Sequence, residues 1–210
     1  MIQNKGNELI TIAQRIRAMS QTALTYSSND YEIERSHELI DISNRIVSIV
    51  SGMKEADIHA DYHPMKEYVT PKVDIRAVIF NEKDEILLVK EKADGKWALP
   101  GGWSDVGFTP TEVIIKETKE ETGFDVRVVR LLAILDKRCH KHPASPFYIY
   151  KLCFQCEIMD GDDKLTFDIL DKGFFATNQL PPLSTDRILP EQIALLDKLR
   201  RNPESKTYCD

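Results

Sequence analysis

The sequence predicts an α+β protein, a mixed-sheet domain preceded by an N-terminal α-helical hairpin. Three observations carry this. Apolar residues recur every three or four positions up to about residue 67, then give way to short β-branched runs. From there on, strand-like and helix-like stretches interleave at short spacing. The 210 residues are 42% hydrophobic, enough to build a core, while 9 Gly and 10 Pro exclude a collagen-like or low-complexity chain.

The first helix follows from Leu9, Ile12, Ile16, Met19 and Ala23, and the second from Leu39, Ile42, Ile46, Ile49 and Met53. Between them Ser27-Ser28-Asn29-Asp30 is a turn cluster that also caps the second helix. Residues 1–67 therefore read as a hairpin domain and residues 68–210 as the mixed-sheet domain. A helical hairpin has no second layer for its apolar stripe, so it must pack on the rest of the chain or on another copy. A role in assembly or in covering the active site is expected. After residue 70, residues 73–80 and 85–89 read as a β-hairpin about the turn Asn81-Glu82-Lys83-Asp84. A second turn, Ala93-Asp94-Gly95-Lys96, leads into Trp97-Ala98-Leu99. Further strands are expected over 126–135, 147–158 and 173–176, and a last helix over 190–201 with Pro190 in its first turn.

Charge narrows the function. Lys and Arg number 28 against 34 Asp and Glu, a net charge of −6, which makes a nucleic acid an unexpected partner. An anionic substrate would need positive charge brought locally, and a divalent metal is the obvious source. No run approaches the roughly 18 apolar residues of a membrane helix. The N-terminus lacks a signal peptide's apolar centre, so a cytoplasmic protein with no membrane partner is expected. Cys139, Cys153, Cys156 and Cys209 are too few and scattered for a disulfide framework. Cys153-Phe154-Gln155-Cys156 lies in a strand-like run, so its thiols read as ordinary strand residues rather than a redox pair.

The chemistry concentrates in residues 99–124. Thr109 is a helix N-cap, Pro110 suits the first helical position, and Glu112 completes a capping box. Gly123 suits the left-handed residue that ends the helix, so the spacing predicts a helix over 110–122. At about 100° per residue, Glu117, Glu120 and Glu121 share one narrow face, with Lys116 and Lys119 on other bearings. Three carboxylates on one face repel one another unless a cation sits among them, and oxygen ligands suit Mg2+ or Mn2+. Gly101-Gly102 lets the backbone approach closely enough for a carbonyl to join the set. The competing reading is a solvated acidic surface helix.

The stretch from Gly102 through Lys116-Glu117-Thr118-Lys119-Glu120-Glu121-Thr122-Gly123-Phe124 resembles the signature of the Nudix hydrolases. Two positions depart: Phe108 stands for the usual Glu and Lys116 for the usual Arg. The second keeps the charge but loses the planar fork that orients a Glu. The acids are intact, so activity is expected to survive. The resemblance covers residues 69–199 and implies a mixed-sheet α/β/α sandwich. Thr70-Pro71-Lys72-Val73-Asp74, Trp97-Ala98-Leu99-Pro100-Gly101-Gly102-Trp103 and Leu180-Pro181-Pro182-Leu183-Ser184 resemble one subgroup with a helical extension, linked with CDP-choline or ADP-ribose hydrolysis and homodimers.

What the resemblance implies is a pyrophosphatase that splits a nucleoside diphosphate linked to another moiety. Gly101, Glu117, Glu120 and Glu121 are the expected metal ligands, and Glu120, Glu121 and Asp168 the expected catalytic residues, with Asp171 a further candidate base. Arg76, Lys137, Arg138, His140 and Trp103 are the expected substrate-binding residues, with Lys141 in the same basic cluster. Phe108 and Trp103 could stack on a base or fill the core, and core packing is the commoner fate of an aromatic. Two rivals stand beside this reading: a non-catalytic nucleotide-binding regulator of the same fold, and an RNA-directed activity.

Overall fold

The protein is described here by a computed structural model over residues 2–61, 68–105, 107–161 and 169–210. It divides into two compact units, Met1–Pro71 with Pro143–Tyr148, and Lys72–His142 with Ile149–Asp210. Among the described residues no helix is long and apolar enough to cross a membrane.

In the first unit α1 (Ile2–Tyr26) and α2 (Asp30–Ser51) form the helical hairpin, followed by the short α3 (Glu55–Asp61). Asn29 caps α2 by accepting from the Tyr31 and Glu32 amides, and Gly52 ends it in the left-handed conformation at φ 75°. The buried face differs from the stripe read in the sequence. Ile10, Ala13, Ile40, Val47 and Ile58 are buried, with Ala144 packed against them, and polar Arg17, Ser43 and Asn44 are buried too. The Arg17 guanidinium donates to the Asn44 side-chain oxygen, and the Ser43 hydroxyl to the Ala13 carbonyl at 2.8 Å. Leu9, Ile12, Met19, Leu39, Ile42 and Ile49 lie exposed on this chain. The seam within this unit thus runs one residue off the periodic stripe, which is left exposed on one chain.

The second unit holds β1 (Lys72–Val78), β2 (Glu85–Glu91), β3 (Trp97–Ala98), α4 (Pro110–Thr122), β4 (Phe124–Asp136), β5 (Ile149–Gly161), β6 (Ile169–Ala176), α5 (Pro190–Arg200) and β7 (Tyr208–Cys209). One sheet has the order β1-β5-β4-β7 and the other β3-β2-β6. β1 runs parallel to β5 and β4 antiparallel to it, so the sheet is mixed. The expected hairpin between residues 73–80 and 85–89 forms only at its tip. Asn81 to Asp84 make the turn, Phe80 bridges Ile86, and the Leu87 amide donates to the Ile79 carbonyl at 2.9 Å, after which the strands enter different sheets. β5 begins at Ile149 rather than 147.

Alternation along the strands sorts the core into two layers. Ile75, Ala77, Leu87, Phe154 and Cys156 face Val113 and Ile114 of α4. Val78, Ile86, Leu88, Leu132 and Cys153 face Ile193 and Leu196 of α5. Cys153 and Cys156 thus lie in different layers, and burial pushes both thiols up to about 12, which leaves them inert.

Helix α4 is fixed at both ends and along one face. Its capping box is formed, with the Thr109 amide donating to Glu112 Oε2 at 2.7 Å, and Gly123 closes it at φ 75°. Ile114 is fully buried, so Ile114→Ala should destabilise the protein by about 2–5 kcal/mol. Thr109→Ala, which removes a solvent-exposed cap, should shift the urea midpoint less. Equal shifts would mean that capping, not packing, holds the helix.

Candidate active site

The site is assembled from a helix and a loop that lies flat on a strand. Residues 99–104 run beside β1. The Ile75 amide donates to the Gly102 carbonyl at 2.8 Å, Ala77 to Pro100 at 2.8 Å, and Ser104 to Val73 at 2.9 Å. Gly101 has φ 129°, and a Cβ there would stand 2.1 Å from the Ile75 carbonyl oxygen, so only glycine fits. Its amide donates to Glu121 Oε2 at 2.7 Å. A Cβ on Gly102 would come within 3.0 Å of Glu117 Oε2. Gly101, Glu117 and Glu121 are therefore brought together.

Burial pushes the Glu121 carboxyl up to about 8, against the pull of the Arg76 guanidinium and the Gly101 N–H, and Glu91 and Glu117 add to the rise. Burial raises Glu117 as well, with Lys116 opposing. Glu120 is more open, its side chain 52% exposed. Lys116 does not stand apart from these acids, as its bearing on the helix suggested. Its ammonium lies 3.4 Å from Asp105, 3.5 Å from Glu117 and 3.8 Å from Glu120. A long flexible stem lets the charge lean back toward the acidic face.

Among the described residues no three His, Cys, Asp or Glu side chains are arranged as a finished metal cage. The donor chemistry nevertheless fits a hard divalent cation. Glu117 and Glu121 offer carboxylate oxygens partly withdrawn from water beside the Gly101 backbone, and the acids around them already gather about a cation, the Lys116 ammonium.

The other expected residues fall in different surroundings. Arg76 is 6% exposed and donates from Nε to Asp74 at 2.9 Å and from Nη1 to the Leu99 carbonyl at 2.9 Å. Lys137 is buried and faces Asp186 at 3.4 Å. Arg138 is exposed and pairs with Asp136. His140 Nε2 lies 2.9 Å from Asp210. Trp103 is 48% exposed with the Lys72 ammonium 5.4 Å from its ring centroid, and Phe108 is exposed beside Lys116, so neither aromatic is a core residue. Asp171 is exposed on β6, paired in register with Lys90. Asp168 lies outside the described residues.

Sequence reasoning missed Asp105, Asp74, Lys151, Glu91 and Arg187. Lys151 bonds Asp74 in the interior, and Arg187 holds Glu91 at 3.2 Å. One signal was available: Asp74 and Arg76 alternate as charges within an apolar strand, and Lys151 interrupts another.

Comparison with known proteins follows the same outline. The sequence profile described as NUDIX domain matches residues 70–188, and the one described as UDP-X-like, N-terminal oligomerisation domain matches residues 7–60. A Bacillus subtilis (strain 168) protein provisionally named ADP-ribose pyrophosphatase is 40% identical over 199 residues, covering 94% of this chain and 95% of that protein. An ADP-ribose pyrophosphatase of Methanocaldococcus jannaschii is 33% identical over 130 residues, 60% of this chain and 74% of that one. A crystal structure of a UDP-X diphosphatase aligns with TM-score 0.64 at 34% identity, covering 98% of this chain and 99% of that one.

The basic loop yields a pH prediction. His142 is 5% exposed, its Nδ1–H donates to the Thr185 carbonyl at 2.6 Å, and Nε2 is buried with no partner among the described residues. Burial lowers its pKa from 6.5 to about 4. The unfolded chain then binds this proton first, so stability contributed by the neutral ring is lost as pH falls from 6.5 to about 4, on the order of 3 kcal/mol in all. His142→Gln, which keeps a donor for Thr185, should flatten urea-unfolding stability across that window. An unchanged slope would place the ring's titration elsewhere.

Proposed function

The chain belongs to the Nudix family, and we propose that it is a divalent-metal-dependent pyrophosphatase acting on a nucleoside diphosphate linked to another moiety, of the ADP-ribose or UDP-X type. What supports the reading is the bond from the Gly101 amide to Glu121, with Glu117 beside Gly102, so that two box carboxylates lie next to the backbone of the loop. The relatives named for ADP-ribose and the structural neighbour named for UDP-X support that substrate class more than CDP-choline.

In this reading Glu117, Glu121 and the Gly101 carbonyl would hold Mg2+ or Mn2+, with Glu120 at the rim. Such an ion neutralises the diphosphate and lowers the pKa of the attacking water. The chain's own residues do the rest. The loop on β1 fixes the Gly101 carbonyl. Glu120, the box acid most open to solvent, accepts the water's proton, and its neighbour Lys116 offsets the charge there. Trp103, exposed at the end of the loop, offers a ring face for the base. The products are a nucleoside monophosphate and a phosphorylated partner. Helices α1 and α2 carry apolar residues exposed on one chain, and we place these at a homodimer interface, in keeping with the oligomerisation profile matched there.

Glu121→Gln should lower kcat by about a hundredfold or more with unchanged circular dichroism. Parental turnover would sink the metal assignment and favour a binding protein that keeps the fold. A panel of ADP-ribose, UDP-glucose and CDP-choline with Mg2+ and Mn2+, read as phosphate released after phosphatase coupling, should show preference for one of the first two. A preference for CDP-choline would overturn the substrate class. Met19→Glu combined with Ile49→Glu, at positions 69% and 75% exposed, should convert a dimer to a monomer in sedimentation. A persistent dimer would assign the interface to another face.

A further inference from the structure

We infer that Arg76 is a positioning residue, which holds the backbone of residues 99–101 so that Gly101 and Glu121 meet; this rests on the hydrolase reading above. A guanidinium buried to 6% exposure is tolerated only where its donors are matched. Here they are matched on several sides. Nε bonds Asp74 at 2.9 Å, Nη1 bonds the Leu99 carbonyl at 2.9 Å, and Nη1 lies 4.0 Å from Glu91. Its charge is also felt at Glu121. The planar fork thus joins β1, β2 and the loop, which an ammonium could not do.

The partners are themselves fixed. Lys151 of β5 bonds the second oxygen of Asp74, so the carboxylate cannot turn away from Arg76. Arg187 holds Glu91 at 3.2 Å, and it lies 3.5 Å from Asp94, which accepts from the Ser184 hydroxyl at 2.7 Å. The line of alternating charge runs from the middle of one sheet to the loop before α5. Leu99 is two residues ahead of Gly101. β1 amides already hold the carbonyls of Pro100 and Gly102, and Arg76 holds that of Leu99. Between them the Gly101 amide turns to Glu121. A side chain so enclosed acts on the reaction through Gly101 and Glu121 rather than by touching a substrate.

The test measures metal binding apart from turnover. The intact protein and Arg76→Lys are titrated with Mn2+, reading free ion by electron paramagnetic resonance, and KM for ADP-ribose is measured at saturating metal. Arg76→Lys should weaken Mn2+ binding by about tenfold or more and leave KM within about twofold. A raised KM with unchanged Mn2+ affinity would make Arg76 a substrate ligand and overturn the inference. Lowered thermal stability with unchanged Mn2+ affinity would make it a purely structural residue, with the same result. If Arg76→Lys does not fold, Asp74→Asn with Lys151→Met removes the anchor without changing net charge. It should weaken Mn2+ binding in the same direction, and unchanged affinity would overturn the inference. Failure of the hydrolase reading is distinct, since the parent chain itself would then release no phosphate from any member of the substrate panel.

Discussion

A methyl group at residue 101 would stand 2.1 Å from the Ile75 carbonyl, so the contact between loop and strand admits glycine alone. Much of the catalytic unit's geometry follows from that closeness. With the loop flat on β1, the Gly101 amide meets a carboxylate 2.7 Å away, and the Leu99 carbonyl falls within reach of Arg76. β1 is in turn paired with β5 from Lys72 to Val78, so the backbone of the site inherits the rigidity of the sheet. The carboxylates come from α4, whose Val113 and Ile114 are packed against the same layer as Ile75 and Ala77. Both halves of the site therefore rest on one hydrophobic layer, and neither depends on a loop that is free to wander.

Electrostatics then decides what such a site favours. Carboxylates drawn out of water and set near each other resist ionisation, which is why Glu121 rises to about 8 and Glu117 rises with it. Arg76 and Lys116 oppose that resistance from opposite sides, one from within the core and one from the surface. Removing a neighbour of this kind would be felt mainly through the carboxylates it steadies.

Local signals made α4 legible to the residue. An N-cap, a proline at the first position and a left-handed glycine act within a turn of the chain, and all three are where the pattern put them. Pairing choices were not legible. Residues 73–80 and 85–89 carry hairpin patterning, yet strand partners are set by burial on both sides, and each went to its own sheet. The periodic stripe of α1 and α2 marked the helices, but the seam between them was not legible, because Arg17, Ser43 and Asn44, polar in the sequence, are seam residues in the fold. At the site the box acids were evident, while Asp105, Glu91 and Arg187 were not. Their roles come from elements far apart in sequence, and no spacing rule links them.

The acidic balance of the chain bears on how an anionic substrate could be met. Lys151 and Arg76 are engaged with Asp74, Lys137 with Asp186, and Arg187 with Glu91 and Asp94. Each of these cations is paired with a carboxylate of the protein, so its charge is partly compensated before a substrate arrives. Lys116 is different, being half-buried and shared among Asp105, Glu117 and Glu120. An ammonium holds such partners as a point charge, without the two fixed bonds a guanidinium would make. If Glu117 turns toward a divalent ion, Lys116 can keep Glu120 and Asp105 while its charge faces outward. Where the Nudix signature has Arg, this chain thus carries a point charge in place of a planar fork, set among Asp105, Glu117 and Glu120.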